Sequence, residues 1–290
     1  RSFLPADFKL GEWEALEPYY KTLVDRDISS QDKFEAWLKD WDELYAVVSE
    51  DMRLKYVSTS IDTTDEEAKK ELEKFYIHVD PKMKPWENKL QQMFNASPLK
   101  ESLPEDFKNL KRGIEKDLAL FTEKNIELSK DLSLMENEYA ETTGAFSITY
   151  QGKELTMPQA GVFMKKIDRK VREDVYMLSR ERENQDADKL DDLMDRLVKK
   201  RHQLALNAGY ENYRDYMFDE KHRFDYTAKD CEAFHESVAT AIIPLLKKMD
   251  DDRKAAMKVD ALKPWDMVVD PLQQAPLQPF EKTEDFVSKT

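Results

Sequence analysis

Apolar side chains recur at three- and four-residue steps along most of this sequence, and that spacing admits little besides packed amphipathic helices. Phe34, Trp37, Leu38, Trp41, Leu44, Tyr45, Val48 and Met52 share one stripe of a long helix, with Ser29 and Asp32 as its start signal. Thr64 and Glu67 form a capping box, after which Ala68, Leu72, Phe75, Tyr76 and Val79 make the next stripe. Pro81 and Pro85 read as punctuation, and Trp86, Leu90, Met93 and Phe94 as a shorter stripe ending near Pro98. Ser102 with Glu105 caps a helix through Phe107, Leu110, Ile114, Leu118 and Phe121, and Leu128, Leu132, Met135 and Tyr139 carry the series to Gly144. Only 6 of the 290 residues are glycine, too few for the turns of a sheet-rich fold. The expected class is therefore mainly all-α, with long antiparallel helices in a bundle-like lobe.

One segment breaks the pattern. Phe146, Ile148 and Tyr150 alternate with polar residues, Gln151-Gly152 forms a tight turn, and Leu155 and Met157 resume the alternation, which predicts a small β-hairpin near 145–157. Helical spacing returns with Ile167, Val171, Val175 and Leu178, then with Leu190, Leu193, Met194, Leu197, Val198 and Leu204, closed by Gly209. A further helix after Thr227 carries Cys231, Phe234, Val238, Ile242 and Leu245 on one face, with Pro244 placed to kink it. From Pro264 to Pro279 the prolines predict an extended segment, and a short helix follows Glu281.

The charge excludes several partners. With 46 basic and 60 acidic side chains the net charge is −14, the wrong sign for a protein that gains affinity by neutralising phosphates, so neither nucleic acid nor an anionic membrane is an expected partner. The 5 Trp, 14 Phe and 12 Tyr supply large apolar groups that a disordered chain lacks. Cys231 has no intramolecular partner, so a reducing, cytoplasmic setting is the expectation. No apolar run reaches the length that spans a bilayer.

The chemistry motifs are mostly absent. Four His, at positions 78, 202, 222 and 235, and one Cys do not make a thiolate-rich zinc site, and neither phosphate-cradling glycine motif nor nucleophile elbow occurs. His235-Glu236 begins an H-E-x-x-H pattern, but Ala239 stands where the second His must lie one turn on. Glu232-Ala233-Phe234-His235 is a single E-x-x-H, where a di-iron bundle needs two. His235 is expected instead to be partly buried and hydrogen-bonded beside the apolar stripe. Asp250-Asp251-Asp252 lacks the glycine of a calcium loop and reads as a solvated helix end. Trp37, Trp41 and Tyr45 are read as core before ligand groove. The clusters Tyr210-Glu211-Asn212-Tyr213-Arg214-Asp215-Tyr216 and His222-Arg223-Phe224-Asp225-Tyr226 suit peptide or carboxylate recognition, and equally a rigid corner between helices.

These last residues carry a family resemblance. Lys200 to Tyr210, Asn212-Tyr213-Arg214-Asp215-Tyr216, Arg223-Phe224-Asp225-Tyr226, Cys231 and Phe234-His235 together resemble the oligoendopeptidase F group of zinc metallopeptidases, relatives of thimet oligopeptidase. Phe146-Ser147-Ile148-Thr149-Tyr150 with Gly152, Asp168-Arg169 with Val171-Arg172, and Leu262-Lys263-Pro264-Trp265-Asp266 add to it. The resemblance implies a helical protease whose lobes enclose a channel for short peptides, with zinc on an H-E-x-x-H helix, a later Glu as third ligand, and the motif's Glu assisting water attack. That motif does not occur in these residues, so no catalytic residue, metal ligand or substrate contact is assigned to a position here. The expectation is an amino-terminal fragment of a cytoplasmic zinc oligoendopeptidase, inactive by itself and binding no cofactor, with the C-terminal catalytic part as its missing partner and self-association of exposed apolar surface. Its regions are expected at 1–110 (N-terminal helices), 111–185 (helical lobe with the hairpin) and 186–290 (opening part of the catalytic lobe). The competing expectation is a non-catalytic helical interaction module.

Overall fold

A computed structural model describes residues 1–289. Helix accounts for 72% of the chain and strand for 3%, so the fold is all-α with one small sheet. The elements run α1 (Trp13–Val24), α2 (Gln31–Ile61), α3 (Glu66–Lys74), a π-helical turn (Phe75–Val79), α4 (Asp80–Ala96), α5 (Lys108–Leu120) and α6 (Lys124–Gly144). There follow β1 (Ser147–Tyr150), β2 (Lys153–Thr156), α7 (Met157–Phe163), α8 (Arg169–Asn184), α9 (Ala187–Asn207), α10 (Tyr213–Glu220), α11 (Ala228–Met257) and α12 (Thr283–Lys289). They form two compact units, one of residues 1–144 with 190–228 and one of 145–189 with 229–290.

The first unit is built on the aromatic stripe of α2. Phe34 and Trp37 are fully buried and stack at 5.8 Å between centroids, and Phe34 meets Phe94 of α4 at the same distance. The Trp37 indole N–H, which needs an acceptor once buried, donates to the Leu23 carbonyl at 3.1 Å. Leu16, Tyr20 and Leu23 of α1 close the same core. The chain before α1 is tied down by Glu43, whose carboxylate accepts from the Ser2 and Leu4 amides at 2.8 Å. A second cluster joins Leu132 and Met135 of α6 to Leu193, Leu197 and Leu204 of α9 and Tyr216 of α10. At the end of α9, Gly209 adopts φ +84°, and the Tyr210 and Gly209 amides reach back to the Ala205 and Leu206 carbonyls. This left-handed terminator is the one the sequence pattern places there.

Several local expectations are corrected. Asp65, one residue beyond Thr64, caps α3 by accepting from the Glu67 and Ala68 amides at 3.0 Å. Ser30, adjacent to Ser29, is the residue before α2. Ser102 and Glu105 sit in two 3₁₀ turns, and α5 starts only at Lys108. Pro81 and Pro85 do not interrupt the chain: both lie in α4, directly after the π-helical turn. Pro81 occupies the first turn of α4, where a missing N–H is tolerated.

The second unit contains the hairpin. Ser147 pairs with Thr156 and Tyr150 with Lys153, and the turn residues Gln151 and Gly152 both have positive φ, at 52° and 77°. Such a turn matches the twist of the strands it joins. Ile148, Ala160 and Val175 form the small core beneath it. By contrast α11, 30 residues long, has no buried residue: Phe234, Ile242, Leu245 and Met249 are all exposed. The tract Asp250-Asp251-Asp252 is exposed within this helix. No helix among the described residues is long and apolar enough to cross a membrane.

Candidate functional site

Two neighbouring features of the first unit concentrate its polar chemistry. The first is a groove of about 710 Å³ along α2, α4 and α5. Helical spacing places Trp41 one turn after the buried Trp37, and Tyr45 one turn further, where it is 58% exposed. The reading of Tyr45 as core is thus corrected: the stripe leaves the core as α2 continues, and its last ring lines the groove. Leu38, Leu103, Phe107 and Ile114 complete the apolar wall, and Glu35, Asp42, Glu87 and Asp117 bring carboxylates to it.

Glu87 is the unusual member. Its Oε2 accepts from the Trp41 indole at 3.2 Å, and its Oε1 accepts from the Tyr20 hydroxyl. Burial pushes its carboxyl above the ordinary range, and the two hydrogen bonds offset this only in part. The Tyr20 phenol is raised too, by burial first and by the Glu87 charge second. The sequence reading missed Glu87. The available signal was its position four residues after Met83 and three before Leu90, an acid among apolar neighbours of α4.

The second feature is the corner formed by 207–226. Asn212 caps α10 by accepting from the Asp215 amide at 2.9 Å, and Asp215 pairs with Arg214 at 2.8 Å, which holds its carboxyl below the usual range. The Tyr210 hydroxyl donates to Asp219, which also receives Lys116 of α5 at 3.0 Å. Burial and then this bond push the Tyr210 phenol up to about 12. Burial pushes the Asp219 carboxyl up, but Tyr210 and Lys116 together hold it below its ordinary range. His222 Nε2 meets Asp117 at 2.8 Å and stacks on Phe224, while Arg112 lies 4.2 Å over the Phe224 ring. A Cβ on Gly113 would meet the His222 ring at 3.0 Å, so this close approach is what the glycine in α5 permits. Asp117 also accepts from Gln91 at 3.0 Å, which connects the corner to the groove. Tyr210 and Tyr216 donate their hydroxyl protons to Asp219 and Glu220, and the Lys116–Asp219 pair fastens α10 to α5.

The second unit has its own polar centre. Asp168 caps α8 by accepting from the Lys170 amide at 2.9 Å, which sets Arg169 and Arg172 one turn apart in phase. Arg169 grips Asp266 with two bonds of 3.0 and 2.9 Å. Arg172, with no exposed surface, donates to Asp266 at 3.1 Å and to the carbonyls of Trp265, Lys166 and Ile167 at 2.7 to 2.8 Å. Burial raises the Asp266 carboxyl, but Arg169, the Lys263 amide and Arg172 together hold it below its ordinary range.

The motif fragments on α11 do not converge. His235 is exposed, with its ring 6.3 Å from that of the neighbouring Phe234, so its expected burial is corrected: the helix face bearing it is uncovered. Among the described residues no three His, Cys, Asp or Glu side chains are grouped to hold a metal ion.

Comparison with known proteins adds the final observation. Residues 3–121 match the family profile described as the peptidase M3 N-terminal domain, and residues 162–288 match that of peptidase family M3. Among solved structures, a putative oligoendopeptidase F from Bacillus anthracis str. Ames superposes with a TM-score of 0.90 at 20% identity, over 98% of this chain and 52% of that one. PZ peptidase A with an inhibitor gives 0.86 at 23% identity, over 92% and 48%. Another putative oligoendopeptidase F gives 0.85 at 24%, over 91% and 47%. These likenesses concern the fold, and the chain spans about half the length of each. No curated protein sequence matches it.

Proposed function

Since the chain belongs to peptidase family M3, we propose that it forms the amino-terminal part of a zinc-dependent oligoendopeptidase that hydrolyses short peptides inside a channel in the cytoplasm. The observation that carries this reading is α11. A helix of 30 residues with Phe234, Ile242, Leu245 and Met249 exposed presents an apolar face that a soluble protein normally covers. The fold relatives are about twice as long as this chain, and this reading places the additional length against that face. In this reading the chain comprises the first lobe of the peptidase and the opening helices of its second lobe. The metal ligands belong to the remainder of the protein, and the isolated chain is inactive and prone to self-association.

The test is a quenched fluorescent peptide assay on the 290-residue chain and on the full product of the gene that encodes it. The full product should cleave and lose activity to a chelator, while the 290-residue chain alone should neither cleave nor retain zinc. Stoichiometric zinc and chelator-sensitive cleavage by the 290-residue chain alone would overturn the proposal. A full product without H-E-x-x-H would favour the interaction module.

A further inference from the structure

The arginine centre of the second unit opens on a cavity of about 510 Å³ whose walls include Arg169, Arg172 and Lys258 and no carboxylate. In a chain of net charge −14 this concentration of positive charge is distinctive. Among the described residues Asp266 is the one carboxylate ion-paired to Arg169 or Arg172, and it serves both. Arg253 adds a third guanidinium, bonded to the Asp266 and Val269 carbonyls at 3.1 and 2.7 Å. Two other carboxylates stand nearby. Glu173 lies 4.0 Å from Lys170, whose nearer partner is Asp174 at 2.7 Å, and its charge also acts on Arg169, while Asp270 caps the turn beside the cavity by accepting from the Leu272 and Gln274 amides. Arg169, which is partly exposed, shares the single Asp266 carboxylate with the buried Arg172, so the cavity it faces attracts an anion.

Lys258 is the second, independent sign. It follows the last turn of α11 with φ +54°, and the Lys258 and Val259 amides bond back to the Ala255 and Lys254 carbonyls. This is the left-handed helix terminator that glycine fills without strain. A lysine here accepts backbone strain in order to bring a charge to the cavity rim, where it also complements the helix end. Met257, Val259 and Leu272 give the same cavity apolar surface.

We infer that this cavity binds a small ligand whose carboxylate meets the Arg169 and Lys258 charges and whose aliphatic body lies against Met257, Val259 and Leu272. A planar guanidinium recognises a carboxylate by paired hydrogen bonds, which sets the ligand class. The site lies within one unit and does not depend on the peptidase assignment.

Isothermal titration of the 290-residue chain with N-acetyl-leucine, N-acetyl-leucinamide and inorganic phosphate tests it. N-acetyl-leucine should bind saturably and its uncharged amide should not. Lys258→Gly should weaken binding by about fivefold, since one charged contact is lost, while the thermal midpoint stays or rises because the strained terminator is relieved. Arg169→Lys, which keeps the charge but loses the fork, should weaken it by about threefold. Equal binding of acid and amide, unchanged affinity in Lys258→Gly, tighter binding of phosphate than of N-acetyl-leucine, or no saturable binding would each overturn the assignment.

Discussion

The two units of this chain solve the burial problem differently. The first packs Phe34, Trp37, Phe94, Leu16 and Leu44 into a continuous apolar core, and its polar contacts decorate that core. The second has three buried side chains in its hydrophobic cluster, Ile148, Ala160 and Val175. Its segment around 263–269, which the prolines predicted to be extended and which opens with a 3₁₀ turn at Pro264–Asp266, is held by Arg169, Arg172 and Arg253 on Asp266 and on backbone carbonyls. An apolar core tolerates small changes in proportion to volume, whereas a buried ion pair fails abruptly when one partner is removed. Stability in the first unit should therefore be distributed, and in the second concentrated at one node.

The largest effect is expected where the first unit is most densely packed. Trp37→Ala should destabilise it by about 3–5 kcal/mol, through the cavity and the lost bond to Leu23, measured by urea unfolding followed by helical circular dichroism. Arg172→Met should cost about as much or slightly less, leaving Asp266 buried with one partner fewer. Its effect should be confined: the environment of Trp265, the second unit's indole, should change at lower denaturant while α2 keeps its amide protection. Simultaneous loss of both units would mean that the node is not local.

Gly209→Ala should cost about 1 kcal/mol, because φ +84° is strained for a residue with a Cβ, read from the chemical denaturation midpoint. Smaller still is a difference in pH response. Glu87 has a raised folded-state pKa, so its contribution to stability is complete below the unfolded carboxyl pKa and is lost as pH rises through the folded value. Glu87→Gln should thus gain thermal midpoint relative to the parent as pH rises, and the gap should close in acid. Asp266 has a lowered folded-state pKa and acts oppositely: its contribution is complete above the unfolded pKa and is lost as pH falls through the depressed value. Asp266→Asn should accordingly approach the parent's stability only in strong acid.

Periodicity made the helices and the hairpin legible, since both depend on local spacing of apolar residues. It also identified Gly209 as a terminator, because glycine is the residue such a turn favours. The misread points were those where a neighbour far along the chain or a small shift in backbone geometry decides. Asp65 displaced Thr64 as cap by one residue, and the π-helical turn at Phe75–Val79 kept Pro81 inside a helical stretch. Tyr45 shares the stripe of Trp37, yet burial depends on which helix covers each turn, and nothing local reports that. Glu87 escaped for the same reason, because its partners Tyr20 and Trp41 come from two other helices. The Arg172 and Asp266 centre was visible as residues of a family resemblance, but its charge balance and cavity depend on a contact across 94 positions.

The central claim is that the apolar face of α11 is completed by further parts of an M3 peptidase while the aromatic bundle is complete in itself. Amide hydrogen exchange by mass spectrometry on the 290-residue chain and on the full product of the gene that encodes it tests this directly. The account predicts equal protection of α2 in both proteins and a large slowing of exchange in α11 only in the full product. Equal exchange of α11 in the two would contradict it.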